Sequence, residues 1–372
     1  MLLIVMSTRS RKLEHVEICL TEKVEGFSSN YFEYVEFVHQ AFPSLSFKEI
    51  NTDTTFLGKK LKAPLIITGM TGGHEQLRKI NENLGIVAEQ KGIAIGVGSQ
   101  RSALENRELE ETFKVMRRSA KSVPVLANIG ASQIARGYGL KEIERAIEMV
   151  EADGIAIHFN PAQELFQPEG EPDYGEEIIN RIAELKDRIS VPIIIKETGN
   201  GISYEVASLF DKIGIRHFDV SGKGGTSWVA VEMYRGERRG IKRANSARRF
   251  LDWGIPTACS IMEVRWASRT STIIASGGIR DGIQASKALA LGANLAGFAL
   301  PALKAVSNGT SFLSDLIDKV IFELKSTMFL TGCKDISDLR RTPLVIIGNL
   351  RQWMIDRGID IEKYIKEVRR NV

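Results

Sequence analysis

Thr272-Ile273-Ile274-Ala275-Ser276-Gly277-Gly278-Ile279-Arg280-Asp281 decides the architecture of this chain. A β-branched apolar run ends in a glycine loop, and a helical pattern follows it. The same unit recurs along the sequence from about residue 63. The strand candidates are Ala63 to Gly69, Ile93 to Gly98, Val123 to Ile129, Gly154 to Phe159, Val191 to Glu197, His217 to Ser221, Thr272 to Ser276 and Leu295 to Leu300. Their apolar runs are continuous rather than alternating, as suits parallel strands buried on both faces. Between them, Leu77, Ile80, Leu84 and Val87 share one helix face, and so do Ile178, Ile182, Leu185 and Ile189. Eight βα units predict a closed (β/α)8 TIM barrel, an α/β fold, in preference to an open doubly wound sheet.

Two parts lie outside the repeat. Residues 1–62 form an N-terminal extension, and Lys223 to Arg249 is an insertion after strand six, rich in Arg and Gly. From Thr310 the chain reads as helices that close and cover the barrel core of residues 63–309. No low-complexity linker separates a second domain, so residues 1–372 are expected to form one. The composition, 43% hydrophobic and 26% charged, is ordinary for a globular chain with a large core. A net charge of +4 is small for 372 residues and does not argue for nucleic acid, though a local site for an anionic small molecule is compatible with it. Cys19, Cys259 and Cys333 are far apart and give neither a disulfide framework nor a zinc spacing. A reducing, cytoplasmic setting is the simple reading. Met1 to Met6 is apolar but too short for a membrane span and lacks the order of a signal peptide. It reads as an extra strand, or as an upstream start with Met6 the usual first residue.

Barrel enzymes carry their chemistry at the C-terminal ends of the strands, and the unusual residues of this chain collect there. Ser276 to Asp281 after strand seven and Ala299-Leu300 after strand eight fit a phosphate site, because glycines let backbone N–H groups approach an anion. The bland alternative is a tight strand-to-helix turn. Lys196 closes strand five, where an ammonium is costly without an anionic partner. Two readings stand for it: a contact with a negatively charged cofactor ring, or a structural ion pair, with Glu197 as candidate. In His158-Phe159-Asn160-Pro161-Ala162-Gln163-Glu164, Asn160 fits a helix N-cap and Pro161 the first helical position. By spacing, Gln163 is a capping-box partner and Glu164 a first-turn carboxylate. The functional alternatives are a substrate hydrogen bond and a Mg2+ ligand. Trp228 and Glu232, four apart, would share a helix face, either packed and solvated or as an aromatic wall with a proton-relaying carboxylate. Arg9, Arg11, Lys12 and His15 form a basic cluster that is either a solvated end or a cover over the barrel mouth. Gly98-Ser99-Gln100-Arg101 offers a second anion contact.

Together these segments resemble type II isopentenyl diphosphate isomerase of the archaeal kind. The matching strings are Arg11-Lys12-Leu13-Glu14-His15, Thr68-Gly69-Met70-Thr71-Gly72-Gly73, Gly96-Val97-Gly98-Ser99-Gln100-Arg101, His158 to Glu164, Lys196-Glu197-Thr198-Gly199-Asn200-Gly201, Ser221-Gly222-Lys223-Gly224-Gly225-Thr226-Ser227-Trp228 and Ser276 to Arg280, in family order. The resemblance implies FMN contacts at Thr68, Gly69, Met70, Ser99, Asn128, Lys196, Ser221, Thr226, Gly278, Ile279, Arg280, Ala299 and Leu300. It implies substrate contacts at Arg11, Lys12, Ser99, Gln100, Arg101, His158, Asn160 and Gln163, joined by His15 of the basic cluster, with Glu164 serving Mg2+. The implied reaction interconverts isopentenyl and dimethylallyl diphosphate. It uses reduced FMN, supplied by NADPH or another reductant, and a divalent metal, in a homotetramer or homo-octamer. Conventional acid–base side chains are scarce at the strand ends. That leaves much of the proton chemistry to the cofactor, with His158, Gln163, Trp228 and Glu232 as the catalytic candidates.

The rival is an FMN-dependent 2-hydroxy-acid oxidoreductase, which Met328 to Cys333 also resembles. Such enzymes carry a histidine base after strand six, and Ser221 to Gly225 has none. A cysteine nucleophile is a poor fit, since Cys259 reads as part of a helix start. A non-catalytic flavin or phosphate binder sits badly with His158, Gln163 and Glu164 at one strand end.

Overall fold

The computed structural model describes residues 8–170 and 172–370, with side chains from Arg11 onward. The segment Met1 to Met6 and the side chain of Arg9 lie outside what it describes. Eight parallel strands close into a barrel: β1 (Leu65–Ile67), β2 (Ala94–Gly96), β3 (Val125–Gly130), β4 (Gly154–His158), β5 (Ile193–Lys196), β6 (His217–Asp219), β7 (Thr272–Ala275) and β8 (Leu295–Phe298). β8 pairs with β1 to complete the ring. Seven of the eight fall inside the segments expected to form them, and β3 runs one residue beyond its segment, to Gly130.

The continuous apolar runs conceal an alternation. Ile66, Ala94, Leu126, Ile194, Ile274 and Leu295 meet in one cluster, while their chain neighbours Leu65, Ile67, Ile193 and Ile195 pack in another, with the surrounding helices. Period-2 geometry thus splits each strand between barrel lumen and outer layer. The lumen cluster also contains Phe56 and Leu61, from a short hairpin of Thr54–Phe56 and Lys59–Leu61 in the N-terminal extension. Apolar side chains therefore fill the lower lumen and leave the opposite, C-terminal end for chemistry.

The C-terminal part is not all helix. Leu344–Ile346 pairs antiparallel with Val35–Phe37 of the N-terminal extension, which ties the two flanking regions together. A four-residue run between Pro343 and Gly348 is too short to tell a strand from a helix by its pattern. Thr310–Leu330 and the shorter helices after it are as expected. No helix among the described residues is long and apolar enough to cross a membrane.

Candidate functional site

One cavity occupies the C-terminal mouth, with about 1330 Å3 of space including its opening. Every barrel strand contributes to its wall, from Thr68, Gly69 and Met70 after β1 to Phe298, Ala299 and Leu300 at β8. Helix α1 (Thr8–Thr21) lies over it and brings Arg11, Lys12, His15 and Cys19 to the lining. Val16, Ile18 and Cys19 pack with Leu77, Leu300 and Leu303 at the rim and with Val231 of the insertion helix Trp228–Arg238. Arg11, Lys12 and His15 of the basic cluster thus belong to a cover, not to a solvated end.

The loops after β6 and β7 are fitted backbone to backbone. Gly277 and Gly278 have φ of 102° and 83°, a region that side-chain-bearing residues rarely adopt. A Cβ on Gly277 would lie 2.1 Å from the carbonyl oxygen of Gly222, and one on Gly278 would lie 2.4 Å from that of Gly224. Asn30 Nδ2 donates to the Gly278 carbonyl at 2.9 Å, and Thr257 Oγ1 to the Gly277 carbonyl at 2.5 Å. Ser221 lines the cavity with φ of 37°, a strained value for serine. The loop after β7 is a tight turn, and Gly277 and Gly278 line the cavity from it. Arg280 also lines the cavity, but its guanidinium bonds Glu25, which Lys304 contacts as well. Gly277→Ala is expected to lower thermal stability by about 2 kcal/mol or more, checked by thermal melting.

Lys196 does not pair with Glu197. Its Nζ donates to Asp219 Oδ2 at 2.7 Å, across the β5–β6 register, and both residues are buried. Glu197 instead accepts the backbone N–H groups of Thr198, Gly199 and Asn200 at 2.5–2.6 Å and so shapes the loop that follows β5. That loop presents Thr198, whose buried Oγ1 has no hydrogen-bond partner among the described residues and which lines the cavity. A buried hydroxyl in that condition is costly unless a ligand completes it. Thr198 was not among the expected contacts, although it lies inside a quoted string. Gln133, Phe298 and Cys19 are further lining residues that strand patterns alone do not reveal.

On the β4 side, Pro161–Phe166 is a helix with Asn160 at its N-cap position, but the cap side chain does not bond the helix backbone. Asn160 Nδ2 donates to Gln163 Oε1 at 3.0 Å, and Gln163 Nε2 donates to Glu232 Oε1 at 2.9 Å. Gln163 is therefore no capping-box partner; it links the end of β4 to the insertion helix. Glu232 is fully buried and also meets His15 Nε2 at 2.9 Å and Arg235 Nη1 at 2.5 Å. Burial alone would raise its pKa, but His15, Arg235 and Gln163 outweigh that and hold it well below the usual carboxylate range. His15, its own pKa lowered by burial, stands edge-on to Trp228 with ring centroids 5.2 Å apart. Trp228 lines the cavity, whereas Glu232 lies behind it.

His158 Nδ1 lies 2.7 Å from Asn128 Oδ1, while Asn128 Nδ2 donates to the Val97 carbonyl. Asn128 thus offers an acceptor, and the ring presents Nδ1–H to it. Burial, with Lys12 and Lys196 nearby, lowers the imidazole pKa to about 3, so His158 is neutral at ordinary pH. Glu164 is pushed the other way, upward, by burial. No group of three or more His, Cys, Asp or Glu among the described residues converges as a metal site. A hard divalent ion held by Glu164 would have to draw its other oxygen ligands from water and an anionic ligand.

Arg11, Lys12 and Arg101 all reach the cavity. Arg11 is 3.5 Å from Glu169 and Arg101 is 2.7 Å from Glu105. Lys12 has no ion-pair or hydrogen-bond partner among the described residues, and burial together with Arg11 and Arg101 lowers its pKa to about 7. Such a cluster suits a polyanion. Two other expected contacts face away. Gln100 is buried, its amide donating to the Ala146 carbonyl and its oxygen accepting from Asn128 N–H. Ile279 packs into the outer core.

The sequence profile of the FMN-dependent dehydrogenase family matches residues 160–346. An isopentenyl-diphosphate delta-isomerase of Sulfurisphaera tokodaii is 54% identical over 367 residues, covering 99% of each chain. Those of Metallosphaera sedula and Pyrococcus horikoshii are 49% and 46% identical, covering at least 96% of both partners in each comparison. Among solved structures, a mandelate oxidase variant with (S)-mandelic acid superposes with a TM-score of 0.61 at 16% identity, covering 90% of this chain and 94% of the other. That likeness speaks to the fold.

Proposed function

This chain belongs to the isopentenyl-diphosphate delta-isomerase family, on the barrel of the FMN-dependent dehydrogenases, and we propose that it interconverts isopentenyl and dimethylallyl diphosphate with reduced FMN and Mg2+. The observation that carries this reading is the pairing of two features in one cavity. A glycine-lined cradle with the unpartnered Thr198 hydroxyl fits a flavin phosphate and ring, and the Arg11, Lys12 and Arg101 cluster fits a diphosphate. Thr68, Gly69, Ser221, Gly278 and the start of the helix after Ala299 would hold the FMN. Bound in the reduced state, with NADPH as one source of electrons, FMN supplies an electron-rich face that stabilises positive charge on an alkene carbon.

The side chains do the rest. The cations and a Mg2+ at Glu164 fix the diphosphate, so that the alkene is held in one orientation. Trp228 adds an aromatic wall that favours a developing cation and helps exclude water. His158, neutral and held by Asn128, donates or accepts a hydrogen bond without adding charge. Gln163 is oriented by Asn160 and Glu232 so that it can assist proton movement at the cavity wall. The oxidoreductase alternative lacks its base: the loop Ser221 to Gly225 places no histidine at the mouth. Assembly as a homotetramer or homo-octamer in the cytoplasm is part of the same proposal.

Anaerobic incubation of the purified protein with FMN, NADPH, Mg2+ and isopentenyl diphosphate is expected to yield dimethylallyl diphosphate with no electron acceptor consumed per turnover. Absence of that product, or consumption of one acceptor per substrate, would defeat the reading.

A further inference from the structure

Lys196 has three N–H donors, and among the described residues only one bond is made, to Asp219. The other two are left for whatever occupies the cavity that Lys196 lines. Asp219 is even more enclosed than Lys196, and its second oxygen accepts from Ser276 Oγ at 2.5 Å. Ser276 itself lines the cavity, whereas Asp219 does not. The carboxylate is thus a fixed counter-charge set directly behind the ammonium. In a buried setting of low effective dielectric, such a pair presents much less positive potential than a lone lysine does.

We propose that Asp219 is a positioning residue that orients the Lys196 ammonium and offsets its charge, keeping bound reduced FMN electron-rich. This rests on the reading of the cavity as an FMN site. An uncompensated cation beside a flavin favours the reduced, more negative form and withdraws electron density from it. For net electron uptake from a substrate that is an advantage. For a reaction without net redox change, which relies on an electron-rich face, it is the opposite. A neutralised lysine keeps its hydrogen-bonding donors and gives up most of its field.

The test is the ratio of affinities for reduced and oxidised FMN, read from the flavin midpoint potential of the loaded protein. Asp219→Asn keeps the shape and removes the charge. It is expected to raise that ratio about tenfold, or about 30 mV for a two-electron couple. In a Lys196→Gln background the same change is expected to have less than a third of that effect, because the coupling runs through the ammonium. Should Asp219→Asn give no soluble loaded protein, Ser276→Ala carries the test. It leaves the whole carboxylate to Lys196 and should move the potential in the opposite direction. An unchanged potential in Asp219→Asn, a full shift surviving in the Lys196→Gln background, or a rise in Ser276→Ala would overturn the inference while leaving the FMN site intact. Wild-type protein that takes up no FMN would instead remove the reading beneath it.

Discussion

Glu232→Ala is expected to cost about 3–5 kcal/mol of stability and to reduce isomerisation by about two to four orders of magnitude. The reason lies in what Glu232 holds. Its carboxylate is fully buried and accepts from Gln163, His15 and Arg235. Arg235 has no exposed side-chain surface and leans on Glu14 and Glu169 as well. Glu14 and His15 belong to α1, so Glu232 fastens the cover to the insertion helix. Removing it leaves the Arg235 guanidinium short of charge and three donors unmade. A loss of this size lowers the melting temperature of a 372-residue chain by roughly 4–6 °C.

Glu232→Gln separates two roles. It keeps shape and some hydrogen bonding, and Glu14 and Glu169 still neutralise Arg235, so the stability loss should be smaller, about 1–2 kcal/mol. The loss of kcat should remain large, because a glutamine no longer dictates which way the Gln163 amide faces. The same group sets an acid limit. Its folded pKa lies below the unfolded value, so its stabilising contribution is present above about pH 4.5 and is lost as pH falls toward 2. Wild-type kcat in Glu232→Gln, with an unchanged melting temperature in Glu232→Ala, would show that this network does not hold the mouth.

Much of this was legible in the residues, and the exceptions have physical causes. The eight strands are readable because burial on both sides demands unbroken apolar runs. Seven of their C-terminal ends overshoot by one or two residues, because residues such as Gly69, Gly98 and Ser221 follow the apolar run without a break after the backbone has left the ladder. Lys196 was recognisable as a mouth residue, but its partner was not. Asp219 is 23 residues away and becomes a neighbour only through the parallel register. A signal against Glu197 was nonetheless present, since alternation along a strand turns adjacent residues to opposite faces. Gln100 illustrates the same limit for carry-over by matching string: Ser99 and Arg101 face the cavity while the residue between them braces β3 from behind. The capping-box reading of Gln163 failed because spacing reports only local options. A buried carboxylate 69 residues on offered a stronger partner.

The second large effect concerns Lys12, where stability and function should move in opposite directions. Its folded pKa is lowered to about 7 from the ordinary lysine value of 10.5, through burial first and then through Arg11 and Arg101. Between those two pH values the unfolded chain binds a proton that the folded chain does not, so stability rises with pH across that window. At pH 7 and below, the ligand-free fold carries the full cost of the enclosed ammonium. Lys12→Met removes that cost and is expected to raise the melting temperature of the ligand-free protein by roughly 2 °C or more at pH 7, a gain that fades toward pH 10.5. The diphosphate reverses the balance, because it provides the anion that the described residues do not. Truncating one partner of such a buried, charged contact costs about 2–5 kcal/mol, so KM should rise by roughly 30-fold to several thousand-fold. Wild-type binding should also take up close to one proton per site above pH 7, visible as buffer-dependent heats in calorimetry, and Lys12→Met should abolish that uptake. A destabilised Lys12→Met protein with unaltered KM would place the ammonium in a structural ion pair and remove it from the anion site.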